Sequence, residues 1–191
     1  MAALSEEGTE EADPNWSPDG NSLVFGSAFG VAGFPEKPLI HVMNLRTRQV
    51  SALPGSEGLF SPRWSPRGRF IVAQTVNQTE PKLLIFDFAT NKWQELIEST
   101  AGYFDWSHDG TYIYLNSTTE YLNSTTEGPS FYRVRISDHK VEHLASLKNM
   151  QLAGGAGGVF DQWTGLAPDD SPLVLRDTGI EEIYALDWQE P

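Results

Sequence analysis

Trp16-Ser17-Pro18-Asp19-Gly20 returns as Trp64-Ser65-Pro66-Arg67-Gly68 and again as Trp106-Ser107-His108-Asp109-Gly110, at spacings of 48 and 42 residues. Leu166-Ala167-Pro168-Asp169-Asp170 is a degenerate fourth copy. A period of this length marks one supersecondary unit repeated along the chain. The pentapeptide is itself a turn. Proline presets φ for the first corner of a type I turn, aspartate tolerates the next position, and glycine takes up the left-handed conformation that follows.

Apolar, β-prone runs follow each turn at Ser22–Phe25, Phe70–Ala73, Tyr112–Leu115 and Leu173–Leu175, the returning strand of a hairpin. A third run follows at Leu39–Leu45, Leu83–Phe88, Phe131–Ile136 and Ile183–Leu186. A fourth fits Gln49–Leu53, Trp93–Ile97 and Val141–Leu144. No long window carries helical periodicity, and most of the 12 prolines and 17 glycines fall between the apolar runs. Four antiparallel strands per repeat, apolar on both faces, are the pattern of a β-propeller blade covered by a neighbour on each side. The expected fold is therefore all-β: one domain over 1–191 with blades at about 13–55, 56–98, 99–147 and 148–191. The tryptophan at the end of each inner strand is placed to fill the gap between blades.

The last repeat reaches Trp188–Pro191 directly after its third strand. Residues 2–4 lie about as far before Trp16 as Ser51–Leu53 lie before Trp64, which is the position of an outer strand. Pairing of that amino-terminal strand with the last unit gives a four-bladed ring within one chain, or an eight-bladed dimer of two-fold symmetry across two. The dimer is the favoured expectation, because four blades is the low end for closure.

Aromatics make up 12% and hydrophobic residues 39% of the 191, enough apolar surface for a folded core despite a net charge of −13. The 26 acidic residues outnumber 13 basic ones, so the phosphate neutralisation that nucleic-acid binding requires has no obvious source and such binding is disfavoured. No run approaches the roughly 18 apolar residues of a membrane helix. The absence of cysteine removes disulfides and thiolate metal sites. Neither a cofactor nor a metal is expected.

The turns, the Leu-Ile-Phe-Asp-Phe type third strands (Leu84–Phe88) and their spacing resemble TolB-like, WD-repeat-like propellers across residues 13–188. The ending, Gly165–Asp177 through Ile183–Trp188, is similar to the carboxyl end of bacterial, especially acidobacterial, multidomain regulators. That resemblance implies a sensor or scaffold propeller outside the cytoplasmic membrane, periplasmic or extracytoplasmic, and part of a longer propeller. Arg67 in place of the turn aspartate, His108 in place of the turn proline, and a fourth copy without Trp or Gly depart from the pattern.

In such a blade the second-to-third-strand loops and the interblade segments emerge at one end, opposite the pentapeptide turns. The long segments at 26–38, 75–81, 116–129 and 176–182 collect there. Phe29, Phe34, Glu57, Asn77, Tyr103, Tyr121, Asp177 and Glu181 are the candidate binding residues, because aromatic anchors among Gly, Asn and acidic groups suit a protein or peptide. A non-enzymatic binding module is the leading expectation. The alternatives are a propeller enzyme, lyase or hydrolase, using Asp13, Arg63 and Asp105 near the axis, and a structural fragment whose partner is its own copy.

Three apparent motifs carry less. His139-Lys140-Val141-Glu142-His143 matches H-x-x-E-H, yet it falls where an extended chain sets the two histidines about 13 Å apart. Gly154–Gly158 lacks the Lys-Ser/Thr of a phosphate loop. The verbatim repeat of 114–120 as 121–127 reads as a duplication tolerated in a surface connection.

Overall fold

A computed structural model describes residues 11–27, 37–77, 79–99, 101–117, 129–153 and 163–179. The expected strands at 2–4 and 183–186, the glycine run and most of the duplicated segment lie outside them. No helix occurs among the described residues. The first sheet comprises β1 (Glu11–Trp16), β2 (Ser22–Ser27), β3 (His41–Asn44) and β4 (Val50–Ala52). The second holds β5 (Leu59–Trp64), β6 (Phe70–Thr75), β7 (Lys82–Asp87) and β8 (Lys92–Glu98). The third holds β9 (Phe104–Trp106), β10 (Tyr112–Ser117), β11 (Ser130–Arg135) and β12 (Val141–Ser146). Each is an antiparallel meander in chain order. In the fourth, β13 (Thr164–Leu166) pairs with β14 (Pro172–Val174).

Each pentapeptide closes the hairpin between its first two strands. In the first, Gly20 N–H donates to Ser17 O at 2.9 Å, and Ser22 N–H donates to Ser17 Oγ at 2.9 Å. Gly20, Gly68 and Gly110 have φ of 69°, 77° and 70°, the left-handed geometry a side chain resists. Asp170 holds the same position at φ 62°. Upstream, Asp13-Pro14 and Ser61-Pro62 each put a bulge into the inner strand, with Asp13 at φ 52° and Ser61 at φ 54°. Proline has no N–H for the ladder, so the register skips past it. The third blade has Tyr103-Phe104 there and pairs Phe104 with Leu115 without a shift.

Blade-on-blade packing makes the core. Val24, Ile40 and Leu53 of the first blade meet Ile71, Ala73 and Phe86 of the second. From the other face of the second blade, Val72, Leu83 and Ile85 meet Ile113, Leu115 and Val134 of the third. Period-two alternation along Ile71-Val72-Ala73 sends successive side chains to opposite neighbours, which is why the run is continuously apolar. The third blade turns a different surface toward the fourth, carrying Tyr112, Tyr114, Arg133 and Arg135. Arg133 and Arg135 both grip Glu142, at 2.8 and 3.0 Å.

The tryptophans fill the interblade gap unequally. Trp106, 4% exposed, stacks on Phe70 of the preceding blade and donates Nε1–H to Arg63 O at 3.0 Å. Trp64 instead stacks on Phe88 of its own blade and donates to Gly68 O, while Asn15 Oδ1 of the first blade accepts its backbone N–H at 2.7 Å. Trp16 is 60% exposed.

Candidate functional site

Strand direction sorts the loops into two ends. At one end Gly58 N–H donates to Pro38 O and Val76 N–H to Gly58 O, tying the β2–β3 loop, the first interblade segment and the β6–β7 loop together. Gly102 and Asn116 make the corresponding link in the third blade, and Gln151 and Asp177 in the fourth.

Four candidate residues lie at this end among the described residues. Glu57 is exposed beside Gly58. Asn77 is exposed, and its Oδ1 accepts Thr79 N–H and Oγ–H, at 3.0 and 2.6 Å, so the side chain shapes its own turn. Asp177 does likewise, accepting Gly179 N–H at 2.7 Å. Tyr103 is half-buried, its N–H bonded to Asn116 Oδ1 at 2.6 Å, on the rim of a cavity of about 10 Å³ with Phe104, Asp105 and Thr164. Asn77 and Asp177 are bonded within their own loops, Tyr103 faces the fourth blade, and neither described cavity brings the four together. Phe29, Phe34, Tyr121 and Glu181 lie outside the described residues.

On the inner strands, Arg63 Nη2 stands 3.7 Å from Asp13 Oδ1, and its guanidinium lies 5.6 Å over the Phe104 ring. Asp105 does not join them. Its Oδ1 accepts the N–H of Trp106 at 2.8 Å. The His139–His143 segment is a turn running into β12: His139 has φ 57°, Glu142 is taken by the two arginines, and His143 packs edge-on against Tyr132. The hydrogen bond from Arg133 holds the Glu142 carboxyl below its ordinary value, as an anion rather than a shared base.

The opposite end carries a groove of about 430 Å³ between the second and third turns, lined by Ser65, Arg67, Arg69, Phe70, Asp109 and Thr111. Arg69 is pinned on Asp87 through Nε–Oδ1 at 3.1 Å and Nη2–Oδ2 at 2.9 Å, with its guanidinium 4.8 Å over Phe70. Sequence reasoning did not place a site here. Its signal was Arg67, the basic residue at a position where the other three copies carry aspartate.

Three four-stranded meanders packed face to face, with a fourth hairpin following, define an all-β propeller architecture. Solved structures agree. The chain is similar to TolB from Acinetobacter baumannii, with a TM-score of 0.65 and 18% identity over 93% of this chain and 40% of that one. It is similar also to the β-propeller domain of the trilobed protease from Pyrococcus furiosus, whose topology is described as open Velcro, with a TM-score of 0.58 and 14% identity over 93% and 58% of the two chains. An oligogalacturonate lyase in complex with manganese matches at 0.56 and 15%, over 72% of this chain and 39% of that one. The chain thus spans less than two thirds of each of these proteins, from 39% to 58%. No protein-family model and no curated protein sequence matches it.

Proposed function

We propose that this chain is a non-enzymatic propeller module that binds a protein or peptide at its loop end, as a sensor or scaffold portion of a larger bacterial regulator acting outside the cytoplasm. The observation that carries the reading is the main-chain bond from Gly58 of the second blade to Pro38 of the first, with loop-closing bonds inside each blade at Gly58–Val76, Gly102–Asn116 and Gln151–Asp177. Loops fastened in this way on successive blades present exposed residues at one end of the sheets, the arrangement in which loops recognise partners. Selection of a peptide library on the protein tests it. Replacing Glu57, Asn77, Tyr103 and Asp177 with alanine together weakens the selected peptide at least tenfold if the reading holds; unchanged affinity overturns it.

A second reading, a propeller enzyme, draws on the Asp13–Arg63 pair between adjacent inner strands. Turnover of an oligogalacturonate or a peptide that is lost on Arg63→Ala would replace the binding reading.

Self-association belongs to the same proposal. β1 packs on β5, β5 on β9 and β9 on β13, but no comparable packing joins β13 to β1 among the described residues. The two outward surfaces carry exposed Trp16 at one end of the row and Trp163, Leu173 and Leu175 at the other. A second copy that covers them completes an eight-bladed ring.

A further inference from the structure

The four pentapeptide turns share one internal bond set, and the second lacks its acceptor. In the first turn Asp19 Oδ1 accepts Ser17 Oγ–H at 2.6 Å and Asn21 N–H at 3.0 Å. In the third, Asp109 Oδ1 accepts Ser107 Oγ–H at 2.7 Å and Thr111 N–H at 2.9 Å. In the fourth, where alanine replaces serine, Asp169 Oδ1 accepts Ser171 N–H at 3.0 Å. The donors hold the Asp19 and Asp109 carboxyls down to about 2, so this niche favours an anion strongly.

Arg67 stands at that position in the second turn. The corresponding donors are Ser65 Oγ–H and Arg69 N–H. Ser65 is 2% exposed and its Oγ accepts Phe70 N–H at 2.9 Å, but its own hydrogen meets no acceptor among the described residues. Arg69 N–H meets none either, and the Arg67 guanidinium forms no ion pair or hydrogen bond there. Both donors and both arginines border the 430 Å³ groove. A buried hydroxyl hydrogen without an acceptor, beside an exposed main-chain N–H and a guanidinium that has no hydrogen-bonded partner and only the field of Asp109 nearby, forms a prepared anion site.

We propose that this groove binds a carboxylate, supplied in trans, which takes the place of the aspartate that the other turns supply for themselves. Ser65 Oγ–H and Arg69 N–H donate to one oxygen, as the equivalent donors do in the first and third turns, and Arg67 pairs with the second. A monoanion fits better than phosphate, because Asp109 stands on the groove's wall and repels added negative charge, and the Arg69 charge is already met by Asp87. The carboxylate comes from an acidic side chain or from a chain end. This inference is independent of the loop-end reading, being at the opposite end of the blades.

Titration of the whole chain with four probes tests it, with affinity read by calorimetry and the Arg69 amide by NMR. The probes are acetyl-Gly-Glu-Gly-amide, acetyl-Gly-Gly-Gly with a free terminus, acetyl-Gly-Gln-Gly-amide and inorganic phosphate. Expected is saturation by one or both carboxylate peptides with a shift of the Arg69 amide, and the one that binds identifies the source. The glutamine peptide does not bind, and phosphate binds more weakly. Arg67→Asp rebuilds the first and third turns, so it keeps the fold while lowering carboxylate affinity at least tenfold; Arg46→Ala, on the first blade, leaves it unchanged. Equal binding of the glutamine peptide, tighter binding of phosphate, no saturation by either carboxylate peptide, or full affinity in Arg67→Asp overturns the proposal.

Discussion

Asp170 Oδ1 accepts the backbone N–H of His108 at 3.0 Å and lies 2.5 Å from the same residue's ring Nδ1, joining the third turn to the fourth. Between the earlier blades the same two positions hold proline and glycine. Gly68 sits so close to Pro18 that a Cβ there would come within 3.2 Å of the ring, and Gly110 packs on Pro66 more loosely, at 3.7 Å. Two departures from the repeat, His for Pro and Asp for Gly, are therefore the two halves of one contact. Histidine regains the N–H that proline lacks, and aspartate supplies its acceptor.

A double-mutant cycle on His108→Pro and Asp170→Gly measures that coupling. Each single substitution leaves half a contact, whereas the double variant rebuilds the Pro–Gly packing of the other turns. The expected interaction energy is roughly 0.5–1.5 kcal/mol, with the double variant more stable than the sum of the singles, read by urea denaturation. Additivity would show that the contact does not hold the turns together.

The tryptophan series predicts a graded response. Trp106→Ala removes a buried ring and costs roughly 3–5 kcal/mol. Trp106→Phe keeps most of the packing but loses the bond to Arg63 O, costing about 1 kcal/mol or somewhat more. Trp16→Ala changes the stability of the single chain by less than about 0.5 kcal/mol, because its ring is largely in water. Equal losses at positions 16 and 106 would contradict the packing described.

Acid sensitivity follows from the turn carboxylates. Asp19 and Asp109 are held at about 2 by serine, asparagine and threonine donors, against about 3.9 in an unfolded chain. The unfolded state takes up these protons first. Their stabilisation is therefore complete above about pH 4 and is lost as pH falls toward about 2. Urea midpoints from pH 5 to pH 2 should fall, and Asp19→Asn with Asp109→Asn should flatten the descent. A slope unchanged by both would remove these two groups as its source.

Solution mass examines the ring. Light scattering at high concentration is expected to give twice the chain mass, and Trp16→Glu is expected to return the monomer. A strict monomer in the unsubstituted chain rules out the eight-bladed dimer.

Much of the architecture was legible because turn chemistry and strand alternation are local. Serine, proline, aspartate and glycine in order specify a hairpin, and in the first three repeats the runs after them read as the second, third and fourth strands to within a few residues. The function was less legible. Glu57, Asn77 and Asp177 have the composition of binding residues, but Asn77 and Asp177 use their oxygens to build their own turns, which no residue count reveals. The three axis candidates stood alike on inner strands, and only packing separated the Asp13–Arg63 pair from Asp105.

The pentapeptide repeat by itself determined the hairpins, the number of repeats and the meander order, since a turn depends on φ, ψ and hydrogen bonds within five or six residues. Only the tertiary structure decided what its irregular copies mean. His108 and Asp170 are 62 residues apart and meet because adjacent blades stack turn on turn. Arg67 leaves two donors without a carboxylate beside a groove that exists only where the second and third blades lie together. Contacts between blades depend on the distance across an interface, and that distance is set by the side chains packed in the core.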